Sequence, residues 1–74
     1  MIARCAWWDA ARGFGFLSPI NGDSDVFCHH SGLAFGKPGH RNLERDALVE
    51  FQAAIHDGRI VARDVRPIED ENGQ

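Results

Sequence analysis

The chain is 74 residues long, 43% hydrophobic, and carries a formal net charge of −3. That length leaves room for one domain with a thin core and excludes a second. The negative balance argues against a protein that coats duplexes through bulk charge, since such domains are as a rule basic.

The segment from Ile2 to Asp9 is mostly apolar, ends in Trp7-Trp8, and reads as a first strand. Its start has no basic stretch followed by an apolar run, and no apolar segment reaches membrane-spanning length, so a cytoplasmic location is expected. Cys5 and Cys28, without a secretory signal, read as free thiols in a reducing compartment.

A second strand follows at Gly13 to Ser18, and Pro19, Asn21, Gly22 and Asp23 supply the turn after it. Positions two apart on a strand share a face. Phe14 and Phe16 therefore lie side by side, with Gly13, Gly15 and Leu17 opposite. Glycine weakens a strand, so a core strand would carry β-formers at those places. Leu17 supplies the core contact, which leaves the two rings to face solvent. Arg12 beside them offers a cation for phosphate.

The third strand, Asp25 to His30, repeats the arrangement. Val26 and Cys28 suit a core; Phe27 and His29 share the other face. The two strands together give a ring cluster of Phe14, Phe16, Phe27 and His29, which Trp7 and Trp8 extend at one end.

The stretch from Ser31 to Arg45 holds Gly32, Gly36, Pro38 and Gly39 and reads as a long loop with one helical turn at Gly32-Leu33-Ala34-Phe35. Loops this long are often functional. Leu48 to Ile55 is a fourth strand, and Arg59 to Ile68 a fifth. The Asp57-Gly58 pair closes the hairpin between them. Residues 1–68 form the domain; 69–74, acidic and without an apolar side chain, read as a disordered tail.

Five short strands with turns between them point to a sandwich or barrel. A five-stranded antiparallel Greek-key barrel of the oligonucleotide-binding type (the OB-fold) leaves few edges exposed. The edge of the fifth strand still leaves room for a dimer beside the expected monomer.

Two linked motifs carry a family resemblance. Trp7-Trp8-Asp9-Ala10-Ala11-Arg12-Gly13-Phe14-Gly15-Phe16-Leu17 is similar to the Trp-Phe-Asn-x-x-Lys-Gly-Phe-Gly-Phe-Ile signature of cold-shock domains. Asp25-Val26-Phe27-Cys28-His29-His30-Ser31 resembles their second motif, Asp-Val-Phe-Val-His-Phe-Ser. The resemblance implies an all-β cold-shock fold, base stacking on Trp7, Phe14, Phe16, Phe27 and His29, and a cation at Arg12 in place of Lys. Trp8 replaces a family Phe beside the platform, and His30 stands where the family has a stacking Phe. Cys5 and Cys28 stand at buried Val positions. Ala6 replaces a common Lys, and either Phe35 or His40 replaces a loop aromatic. Arg59, at the last hairpin, is a further candidate for phosphate.

The implied function is sequence-tolerant binding of single-stranded RNA or DNA, as an RNA chaperone or regulator of gene expression. The same aromatic patch could instead dock a protein, which is the alternative. No Cys-x-x-Cys pair suggests zinc, and no set of nucleophile, base and orienting group suggests catalysis. Neither metal nor cofactor is expected, and no enzymatic activity.

Overall fold

A computed structural model of the chain describes residues 1–35 and 42–68. Five strands follow in order: β1 (Ile2–Asp9), β2 (Phe14–Pro19), β3 (Val26–His29), β4 (Leu48–His56) and β5 (Arg59–Pro67). A 3₁₀ turn, His30–Gly32, follows β3 directly. The helical turn thus lies earlier than Gly32–Phe35, because Leu33 is drawn into the core and bridges to Val65.

The sheet closes on itself in the order β1-β2-β3-β5-β4, with β4 returning to β1. Four junctions are antiparallel, but β3 and β5 run parallel where Phe27 pairs with Val61. The closed five-stranded sheet expected from the sequence is present, and its parallel junction has a simple reason: a ring with an odd number of strands cannot alternate direction all the way round. Closure covers part of the edge that was expected on the fifth strand: β5 has β4 along one side and is met on the other by Phe27 at Val61 and by Leu33 at Val65.

Strand alternation builds the core. Ala3 and Cys5 of β1, Leu17 of β2, Val26 and Cys28 of β3, Val49 and Phe51 of β4, and Ala62 and Val65 of β5 all point inward and are buried. Two β-bulges break the alternation. On β1, Cys5 pairs with Leu17 but Trp7 pairs with Phe16, so Ala6 is an extra residue. On β5, Glu50 pairs with Arg66 and Gln52 with Arg63, so Asp64 and Val65 together face Phe51. Asp64 takes the left-handed conformation there, at φ 52°.

The hairpin between β4 and β5 turns at Asp57 and Gly58, both with positive φ (54° and 75°). That is the geometry of a two-residue turn whose twist matches its strands, and Asp-Gly is suited to it. The hairpin projects past the core: Ile55 and Ile60, paired across it, are 75% and 55% exposed. The acidic segment 69–74 lies outside the described residues.

Candidate nucleic-acid interface

The outer face of β1, β2 and β3 carries four aromatic rings in one closed circuit. Trp7 lies 5.7 Å from Phe14 and 6.1 Å from Phe16, centroid to centroid. Phe27 lies 5.7 Å from Phe14 and 5.8 Å from Phe16. These spacings fall in the range of favourable aromatic pairs, so each ring is held by two others. Trp7 is 47% and Phe16 37% exposed, while Phe14 and Phe27 are half-buried. The four rings thus form one continuous patch on the outer face.

The Ala6 bulge makes this possible. With unbroken alternation Trp7 would follow Ala3 and Cys5 into the core. The extra residue reverses the phase, so Trp7 faces outward with Phe16 while Trp8 turns inward. Trp8 packs against the core, and its Nε1–H donates to Asn42 Oδ1 at 3.0 Å. Trp8 is therefore not brought into the ring cluster as the sequence reading expected. Gly15 lies beneath this crossing: a Cβ there would meet the Trp7 carbonyl oxygen at 2.1 Å and Trp8 Cε3 at 2.7 Å. A side chain at that position is excluded by backbone.

At the β3 end, the His29 and His30 rings lie 4.2 Å apart, and both residues are exposed. His29 Nδ1 is fixed by Ser31 Oγ at 2.8 Å. His29 pairs with Phe14 across β2 and β3, and His30 sits beside it.

Among the described residues a cation stands over one of the rings. The Arg59 guanidinium carbon stands 5.9 Å from the centre of the Phe27 ring, a cation–π distance. Arg12 projects from the β1–β2 turn, 3.8 Å from Asp9 and 74% exposed. The Asp9 carboxylate also accepts from the backbone N–H of Ala11 and of Arg12, at 3.0 and 3.1 Å. Its main duty is to the turn, and the Arg12 side chain reaches into solvent. Phe35 packs against the core, whereas His40 lies outside the described residues.

The thiols are not part of this surface. Burial pushes the Cys28 thiol up to about 12, with a further push from Cys5. Burial also raises Cys5, against a backbone hydrogen bond that lowers it. Both are neutral small hydrophobes at ordinary pH. Among the described residues no three His, Cys, Asp or Glu side chains are grouped to hold a metal. No helix there is long and apolar enough to cross a membrane.

Residues 1–68 match the family model of the 'cold-shock' DNA-binding domain. The chain belongs to this family. It is 40% identical over 62 residues to the cold shock-like protein CspA of Stigmatella aurantiaca, covering 84% of this chain and 88% of that one. It is 42% identical over 51 residues to the cold shock-like protein CspB of Yersinia pestis, 69% of this chain and 70% of that one. A stretch of the lin-28 homolog of Drosophila melanogaster is 37% identical over 51 residues, 69% of this chain but 25% of that longer protein. Membership of the cold-shock domain family carries nucleic-acid binding in general.

The sequence reading missed the residues that flank the platform on β5. Val61 and Arg63 share the outer face with Arg59 by simple alternation, and Val61 pairs with Phe27. Period two along β5 was the available signal, which links Val61 and Arg63 to Arg59.

Proposed function

We propose that the protein binds unpaired RNA or DNA by stacking bases on Trp7, Phe14, Phe16 and Phe27. His29 and His30 extend the row, and Arg12 and Arg59 hold the backbone. The observation that supports this reading best is the closed circuit of four exposed or half-exposed rings. Stacking contributes ~1–3 kcal/mol per base and accepts any base, because each has a π-face. Duplexes conceal those faces, so single strands are preferred. Binding the open strand alone shifts hairpins toward the open form by mass action, which is an RNA-chaperone activity without ATP.

The charge balance is compatible with this mechanism. The eight Lys and Arg residues are matched by eight carboxylates within residues 1–68; the other three, Glu69, Asp70 and Glu71, account for the net −3. A neutral domain can bind a polyanion when stacking supplies the affinity and a few guanidiniums lie beside the rings.

Titration with oligothymidine while tryptophan emission is followed, against a duplex of equal length, tests the reading. Saturable quenching by the single strand and little by the duplex is expected. No response to either at low salt would refute it.

A further inference from the structure

After β3 the chain takes a longer path beside β5 than β5 itself does. Phe27 bridges to Val61, and the next bridge joins Leu33 to Val65. Residues 28–32 lie between these bridges on one side and only 62–64 on the other. The surplus is taken up in the 3₁₀ turn His30–Gly32. An open groove of about 570 Å³ lies in this interval, within the roughly 300–1,000 Å³ typical of small-ligand sites. Phe27 and His29 line it, so it opens directly off the ring platform, and Val61 contributes an apolar wall.

Arg63 and Asp64 both line this groove. Neighbours on a regular strand point to opposite faces. The bulge and the left-handed φ of Asp64 break that alternation here, and Asp64 borders both this groove and the hollow beside Glu50, Gln52 and Arg66. Among the described residues neither is engaged in a salt bridge. The groove is thus bordered by one residue whose carboxylate can only accept hydrogen bonds and one whose guanidinium can only donate.

We propose that this groove is a guanine subsite at the margin of the platform. The inference rests on the stacking reading above. One base of a bound strand leaves the rings beside Phe27 and lies against Val61. Its Watson–Crick edge meets Asp64, and Arg63 holds the adjoining phosphate. Guanine is selected because its N1–H and N2–H stand side by side and can both donate to one carboxylate. Uracil and thymine flank their single N–H with two carbonyl oxygens, which a carboxylate repels. Adenine and cytosine set one amino group beside an acceptor nitrogen. A bound strand is thus read at one position by hydrogen bonds and elsewhere by stacking alone.

The test uses the whole chain, with heptathymidine and the seven strands that carry one guanine at each position in turn. Guanine at one position should tighten binding about ten-fold, the scale of one bidentate contact. Asp64→Asn places a donor against guanine's donors, and Asp64→Gly removes the carboxylate while suiting the positive φ. Both should bring the guanine-to-thymine ratio to about one and leave heptathymidine affinity undiminished. Arg63→Gln should weaken all the strands alike and lower the salt slope by about one. If heptathymidine binds but guanine confers no advantage anywhere, or if the advantage survives both Asp64 variants, the subsite is refuted and the platform stands. If no strand binds, the platform reading fails and the subsite with it.

Discussion

Replacing Phe27 by alanine is the sharpest test of the platform, because this ring touches Phe14 and Phe16 and lies under the Arg59 guanidinium. One stacked base is worth ~1–3 kcal/mol, so the variant should bind oligothymidine about 5- to 150-fold more weakly. The upper part of that range is expected, since the same truncation removes a base surface, the cation–π seat of Arg59 and the support of two neighbouring rings. The fold should survive. Phe27 is half-buried and on the outer face, so its loss falls below the ~3–5 kcal/mol of a fully buried Phe→Ala change. Trp7 contacts Phe14 and Phe16 rather than Phe27, so it remains a usable reporter. Fluorescence titration with thermal unfolding as control gives both quantities. A Phe27→Ala protein that unfolds cooperatively and binds within two-fold of the parent would refute the reasoning.

Three further outcomes follow from the geometry. Quenching should reside in one indole: Trp7→Phe should abolish it while Trp8→Phe keeps it, because Trp8 is turned to the core and bonded to Asn42. Equal quenching in the two variants would contradict the reversed phase of β1. Gly15→Ala should destabilise the domain by about 3 kcal/mol, a Tm fall of roughly 12–24 °C by differential scanning calorimetry. The added Cβ meets the carbonyl oxygen of Trp7, which has no rotamer to escape into. The third outcome concerns alkali. Burial raises the folded Cys28 from 9.0 to about 12, so between these values the unfolded chain has lost a proton that the folded chain retains. Stability should fall as pH rises through that window, by up to about 1.4 kcal/mol per unit for this group. Cys28→Ala, compared by urea unfolding at pH 8 and 10, should show the shallower fall; identical slopes would count against the buried neutral thiol.

Much of this was legible from side-chain alternation. Gly-Phe-Gly-Phe followed by Val-Phe-Cys-His states which face of β2 and β3 carries rings, and the structure places Phe14, Phe16 and Phe27 together as that pattern requires. Asp57-Gly58 named its own turn. What escaped was every feature that depends on a break in alternation. Cys5 and Trp7 have the same parity, so no period-two argument can put one inside and the other outside. The resemblance favoured Trp7 as the binding ring, but only register shows why it faces out and why Trp8 cannot join it. The partial cover of the fifth-strand edge escaped for a different reason: a strand's own residues do not reveal which non-local neighbour meets it.

The two bulges and the parallel junction are linked to closure of the sheet. A small ring of strands must twist and bend sharply, and bulges supply the bend. The one at Ala6 exposes an indole to the outer face; the one at Asp64 sets that residue at the border of the groove that Arg63 also lines. With five strands, one junction must be parallel, and here that junction is met at Phe27↔Val61 and again at Leu33↔Val65, with the groove between. The ladder hydrogen bonds of a fully zipped pair would fill that interval with backbone. The groove therefore owes its room to the gap in the ladder between the two bridges.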